Sequence, residues 1–172
     1  MLLRASLVVL IISSFPSFAD ELHFTGAYST DQLRGFRAGY RVTDLPLELP
    51  TWLGSPSIHL EGALNHWQDS NNTADNITAF TISPVVSWKV AGTQQPLYLE
   101  AGIGGSYFDK TRIGNRRLST QFQFEDRVSL SWQYSKDSLA RVSFGYTHYS
   151  NADIKQPNDG LDFFWLNWAL PI

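Results

Sequence analysis

Residues 121–134, QFQFEDRVSLSWQY, alternate between polar and mainly apolar side chains along their whole length. Successive side chains of a β-strand point to opposite faces, so this period predicts a strand with two unlike faces. One face is polar at all seven positions: Gln121, Gln123, Glu125, Arg127, Ser129, Ser131 and Gln133. A face of this kind cannot pack against a soluble core. The opposite face, where Asp126 is the one acid, must therefore meet a second sheet or lipid.

Seven other segments repeat this period: residues 23–29, 33–42, 58–68, 77–90, 97–108, 140–150 and 161–172. Most reach about ten residues, the length that a tilted strand needs to cross a membrane. Eight antiparallel strands that close on themselves leave no unpaired edge, as lipid requires. The sequence therefore predicts an all-β fold, an eight-stranded antiparallel transmembrane β-barrel. A soluble β-sandwich or lipocalin-like barrel is the alternative, and its exterior would be polar. The non-aromatic C-terminus, Leu170-Pro171-Ile172, is unusual for an outer-membrane barrel.

The N-terminal nineteen residues have the pattern of a secretory signal peptide. Arg4 precedes an apolar run over residues 5–12, and small residues at 17 and 19 suit cleavage after Ala19. We therefore expect two parts, a signal peptide over residues 1–19 and a barrel domain over residues 20–172. Absence of cysteine excludes a disulfide scaffold, and a net charge of −3 without a basic stripe argues against nucleic-acid binding.

The even strand number orients the barrel. Both termini then lie at the periplasmic end, and the loops that follow odd-numbered barrel strands are extracellular. These loops are residues 30–32, 69–76, 109–120 and 151–160. The last of them joins the final two strands, so the residues at its two ends should lie near the outer leaflet.

Residues 142–162, VSFGYTHYSNADIKQPNDGLD, place an imidazole, a hydroxyl and a carboxylate near this last loop. His148 and Ser150 share one strand face, the lipid-facing one that also carries Val142, Phe144 and Tyr146. In the predicted hairpin of the last two strands, the numbers of opposite residues sum to about 310, which places Asp162 beside His148. A base beside a hydroxyl, with a carboxylate on the next strand, is the smallest set of side chains that can activate a serine as a nucleophile.

Chemistry alone leaves alternatives open. His148 and Ser150 are also explained as interfacial residues, because a polar group near the interface costs only about 0–1 kcal/mol on a lipid-facing surface. In the preceding hairpin the numbers of opposite residues sum to about 274, which places Asp126 beside His148 as well. There are therefore two candidate acids. The other histidines, His23 on one predicted strand and His59 and His66 on another, are not expected to have a close partner, and no metal site is predicted.

The segment HYSNA at residues 148–152, followed by KQPNDG at residues 155–160, resembles the signature of the outer-membrane lipid A 3-O-deacylase (PagL) family. The resemblance implies that His148 is the general base and Ser150 the nucleophile. It places Asp162 where the family has a glutamate, so this shorter side chain reaches the imidazole only if the strands lie close together. It also suggests that the amide of Asn158, with backbone N–H groups after Ser150, binds the oxyanion.

The implied function is that of a serine esterase which hydrolyses the 3-position acyl ester of lipid A in the outer leaflet of the bacterial outer membrane. The partners would be lipopolysaccharide and outer-membrane lipids, with no nucleic acid and no cofactor. Whether the barrel acts alone or as a homodimer is left open. Two alternatives remain: another outer-leaflet acyl hydrolase or acyltransferase, and a structural or adhesive barrel without an active site.

Overall fold

The structure, a computed structural model, describes residues 20–43, 45–47 and 49–172, so the predicted signal peptide lies outside the described residues. Its strands are β1 (Glu21–Tyr28), β2 (Leu33–Val42), β3 (Ser57–Asp69), β4 (Asn76–Ala91), β5 (Leu97–Phe108), β6 (Arg112–Ile113), β7 (Arg116–Arg117), β8 (Phe122–Gln133), β9 (Arg141–Ser150) and β10 (Leu161–Pro171). Eight of them form a closed barrel in which every pair is antiparallel, and β1 closes the barrel against β10. The predicted fold class is confirmed.

Two small elements were not predicted. Strands β6 and β7 form a separate hairpin within the loop between β5 and β8, and residues Thr51–Leu53 form a short 3-10 turn before β3. Each is too short to show a hydrophobic period. In the part of the chain that the structure describes, no helix is long and apolar enough to cross a membrane.

The two faces of the barrel wall are distributed as the sequence predicts. On β8 the polar side chains are buried inside the barrel, whereas Val128, Leu130 and Trp132 on the other face are about half exposed. Phe144 on β9 and Phe164 on β10 face outward in the same way. An apolar exterior around a polar interior is what lipid requires, and it is the reverse of a soluble barrel.

Paired charges fill the middle of the barrel. Glu61 accepts hydrogen bonds from three arginines, Arg37 at 2.7 Å, Arg41 at 3.0 Å and Arg127 at 2.7 Å. Toward the end where β9 and β10 are joined, an apolar cluster covers this layer: Leu33, Trp67, Ile77, Ala79, Phe108, Ile113, Leu118, Tyr149, Leu161 and Phe163. Buried charges of this kind are tolerated because each one is paired. These interior side chains fill the barrel and pack against the strands that carry the outer face.

His23 and His66 have close polar partners, so the expectation that they have none is wrong. His66 Nδ1 lies 3.2 Å from Thr78 Oγ1. His23 Nε2 lies 3.1 Å from Glu21 Oε2, and His23 Nδ1 lies 3.2 Å from the side-chain amide of Asn167. The contact with Glu21 joins residues i and i+2 of one strand face, which sequence spacing could have shown.

Candidate active site

His148 and Ser150 lie at the end of β9 on the outer face of the barrel, as predicted. Both are partly exposed, whereas Tyr149 between them points inward and is buried. The outward residue Phe144, four positions before His148, is 60% exposed. The imidazole and the hydroxyl therefore face the surroundings of the barrel and not its interior.

Both predicted registers are confirmed. Strand β10 sets Asp162 opposite His148, and strand β8 sets Asp126 opposite the same residue. Only Asp162 makes the expected contact: its Oδ1 lies 2.7 Å from His148 Nδ1. No hydrogen bond or ion pair joins Asp126 to the imidazole among the described residues. Directly opposite residues in an antiparallel pair have Cβ atoms about 4.5–5.5 Å apart, which is close enough for the shorter acid to reach.

The contact with Asp162 determines how the imidazole can act. When Nδ1–H donates to the carboxylate, Nε2 keeps its lone pair and is able to accept a proton. The hydroxyl of Ser150 has no hydrogen-bond partner within the described part of the chain. Hydrogen bonds between nucleophile and base are often long or absent before substrate binds, so the missing bond does not conflict with a role for this hydroxyl.

Gly160 packs directly against the imidazole at the end of the last loop. Its φ is +65°, and a Cβ placed on it would lie 2.9 Å from His148 Cε1 and 3.0 Å from the backbone oxygen of Tyr149. A side chain at this position would push the imidazole away and would strain the backbone. The loop thus fixes one side of the histidine by contact alone.

Three residues that sequence reasoning missed surround this pair. The hydroxyl of Tyr146 donates to Asp162 Oδ1, and Arg116 Nη2 lies 3.5 Å from Asp162 Oδ2. From inside the barrel, Tyr149 anchors the end of β9 by donating to Glu125 Oε1 at 2.9 Å. The position of Tyr146 on the face of His148 was a usable signal for its contact, but nothing near Arg116 in the sequence points to β10.

Asn158 forms hydrogen bonds within the loop after Ser150. Asn158 Oδ1 accepts the backbone N–H of Asn151 at 3.1 Å, and Asn158 Nδ2 donates to Asp153 Oδ1 at 3.0 Å. The N–H directly after Ser150 is therefore already bonded to Asn158, and the binding of an oxyanion by backbone N–H groups after Ser150 stays a prediction. An amide group carries two hydrogens, so Asn158 Nδ2 retains a second donor.

Comparison with known proteins identifies the family. A family model described as "Lipid A 3-O-deacylase (PagL)" matches residues 18–171, nearly the entire chain. The chain belongs to the lipid A 3-O-deacylase family. The family predicted from the motif in the last loop is confirmed, and with it a barrel of the outer membrane as the class of protein.

Two relatives of this lipid A 3-O-deacylase family member carry the name "Lipid A deacylase PagL". The protein from Bordetella bronchiseptica is 33% identical over 108 residues, which cover 63% of this chain and 58% of that protein. The protein from Pseudomonas aeruginosa is 31% identical over 122 residues, which cover 71% of this chain and 69% of that protein. The aligned part is thus between half and three quarters of each relative.

Solved structures agree with the barrel of the lipid A 3-O-deacylase family. The crystal structure of the outer membrane enzyme PagL matches with a TM-score of 0.77 and 25% identity, covering 88% of this chain and 99% of that one. The Yersinia pestis outer membrane protein Ail matches with a TM-score of 0.55 and 10% identity, covering 91% and 100%, and shares the fold alone. Among the described residues, no group of three or more histidines or acids is arranged to hold a metal ion.

Proposed function

We propose that this chain is a serine esterase that hydrolyses the 3-O-acyl ester of lipid A, with Ser150 as nucleophile, His148 as general base and Asp162 as the acid that orients the base. The observation that carries the proposal is the 2.7 Å contact between His148 Nδ1 and Asp162 on the outer wall, with Ser150 on the same face. Membership of the lipid A 3-O-deacylase family supplies the substrate class.

The proposed steps use protein side chains and water. Asp162 holds the tautomer with a proton on Nδ1, so His148 Nε2 takes the proton of Ser150 as the serine oxygen attacks the ester carbonyl. The imidazolium then returns this proton to the departing sugar oxygen, which leaves an acyl-enzyme. A water molecule activated by His148 hydrolyses the acyl-enzyme, releases a 3-hydroxy fatty acid and regenerates Ser150.

The outer wall beside these residues suits an acyl chain. A groove of about 550 Å³ begins at Asp126 and Tyr146 and crosses β8, β5 and β4. Its walls are mostly apolar: Pro84, Val86, Trp88, Ala101, Ile103 and Val128. Since lipid A itself lies in the outer leaflet, its ester can meet Ser150 from the membrane side, and its acyl chain can stay in an apolar environment.

The test is expression of the full chain in a Gram-negative host, followed by mass spectrometry of extracted lipid A and of released fatty acids. We expect lipid A to lose the mass of one 3-hydroxyacyl group and the free 3-hydroxy fatty acid to appear. A lysophospholipid, or an acyl chain transferred to another lipid, would point instead to a different acyl chemistry. Unchanged lipid A with correctly inserted protein would contradict the proposal and favour a structural barrel.

Asn158→Ala is expected to lower the rate of deacylation by about 10²–10³, because one preorganised donor to the oxyanion is lost. Asn158→Asp is the companion variant: it keeps an oxygen to accept the Asn151 N–H, removes the amide donor, and places a second carboxylate beside Asp153, whose Oδ1 lies 3.0 Å from Asn158 Nδ2. Both variants should be impaired in an assay with purified protein and lipid A. Near-normal activity of Asn158→Asp would show that Asn158 supports the loop and does not bind the oxyanion.

A further inference from the structure

The Asp162 carboxylate has donors on both of its oxygens besides the imidazole. Oδ1 accepts from the Tyr146 hydroxyl in addition to His148 Nδ1, and Oδ2 lies 3.5 Å from Arg116 Nη2. The Asp162 side chain is only 29% exposed. Its position beside apolar outer-wall residues limits how much water can solvate it, so these protein donors stabilise its charge.

Arg116 reaches Asp162 from a distant part of the chain. It belongs to β7, in the small hairpin between β5 and β8, and its Nε donates to the backbone oxygen of Gly160 at 3.1 Å. Its Nη2 also lies 3.4 Å from Asp31 Oδ2, in the turn between β1 and β2. The planar guanidinium offers several donors in a fixed geometry, so one side chain connects three segments at this end of the barrel.

We propose that Arg116 and Tyr146 are positioning residues that hold the Asp162 carboxylate in the orientation and charge state that His148 needs. The inference rests on the proposed function. A carboxylate opposite an imidazole can rotate about its Cβ–Cγ bond, and a donor on each oxygen restricts that rotation. Both donors also compete for the negative charge, so their benefit is orientation and solvation of the carboxylate and not a stronger pull on the imidazole.

Gly160 links Arg116 to the imidazole of His148. Gly160 lets its own backbone pack against the imidazole, and the backbone oxygen of the same residue accepts from Arg116. The guanidinium therefore contacts both the carboxylate and the loop end that confine His148. An arginine with this pair of contacts has a geometric role at the site beyond holding a loop together.

The first test is steady-state kinetics of the full-length Arg116→Gln and Tyr146→Phe proteins with lipid A. We expect kcat to fall about tenfold or more in each variant, as for loss of a hydrogen bond to a charged group, while KM stays within about twofold. Arg117→Gln is the control, because the neighbouring guanidinium is 62% exposed and pairs with Asp159 at 3.9 Å. Its kcat should not change. An unchanged kcat in both test variants overturns the inference.

The second test asks whether the two residues act through the carboxylate. In an Asp162→Asn background, Arg116→Gln and Tyr146→Phe should have little further effect on kcat, because no carboxylate remains to be oriented. A role confined to loop folding predicts the same fold-loss in both backgrounds, and that result would exclude positioning. Gel mobility of the folded barrel shows whether each variant is correctly assembled.

A third measurement needs no turnover and so separates this inference from the proposed function. In ¹⁵N-histidine-labelled Ser150→Ala protein, the His148 Nδ1–H bonded to Asp162 should give a low-field proton resonance. Arg116→Gln and Tyr146→Phe should shift or broaden it, whereas Arg117→Gln should not. If Ser150→Ala protein still deacylates lipid A, the proposed nucleophile is wrong, yet this resonance still tests the positioning. An identical resonance in all variants contradicts it.

Discussion

Ser150→Ala is expected to abolish deacylation, so that lipid A from cells expressing the variant has the same mass as lipid A from cells without the protein. The substitution removes the oxygen that we propose as the nucleophile, together with the proton that His148 would accept from it. In serine hydrolases loss of the nucleophile lowers kcat by about 10⁶. The remaining activity would be too low to detect in lipid A from expressing cells. Lipid A mass spectrometry after matched expression is the measurement.

Ser150→Ala should affect the reaction and not the folding of the barrel. Ser150 lies on the outer face, and its hydroxyl makes no hydrogen bond with any described residue, so alanine removes no hydrogen bond that supports the barrel. Ser143→Ala on the same strand is the control. Ser143 points inward and bonds to Ser131 at 2.9 Å, so its loss affects the barrel and not the chemistry. Full activity of Ser150→Ala, or equal loss in Ser143→Ala, would exclude Ser150 as nucleophile.

The barrel was predictable because lipid imposes one rule on every strand. Alternation in residues 121–134 already separated a lumen-facing from a lipid-facing side, and the structure keeps that assignment on β8. Register across a hairpin was predictable for a related reason, since an antiparallel turn fixes the sum of paired residue numbers. His148 therefore met Asp162 and Asp126 at the expected positions.

The remainder of the site depends on contacts that no local pattern encodes. Arg116 reaches Asp162 across 46 positions of the chain, through a hairpin of two-residue strands with no hydrophobic period. The bond between Asn151 N–H and Asn158 depends on the loop backbone, where Ala152 and Asp153 both have positive φ. Non-glycine residues seldom adopt that conformation, so sequence-based reasoning did not anticipate where the N–H groups point.

The choice between the two acids shows the same limit. Pairing placed both Asp162 and Asp126 opposite His148, and sequence could not rank them by geometry. In the structure Asp162 accepts from His148 and Tyr146 and faces Arg116, whereas Asp126 is exposed and contributes to the wall of the outer groove. Three donors around one carboxylate distinguish it from an acid that lies near the same ring without bonding to it.

Asp162→Asn is accordingly expected to lower kcat by up to about 10⁴. The amide has nearly the same shape, but its Nδ2 can donate to the imidazole. Pairing with that donor would leave His148 Nδ1 unprotonated and place the proton on Nε2, where it cannot act as base toward Ser150. Rates should be measured with purified protein and lipid A over long incubations, since the remaining activity is small.

Asp126→Asn is the matched variant, because Asp126 is the other acid opposite His148 and makes no bond to it. We expect its kcat to fall less than about tenfold, with any larger effect on KM, since Asp126 borders the groove that would receive the acyl chain. A greater loss of kcat in Asp126→Asn than in Asp162→Asn would mean that the bond seen here is not the one used in the transition state. Asp126 on β8 would then be the acid that orients His148. Arg116 and Tyr146 would hold Asp162, a carboxylate that takes no part in the reaction.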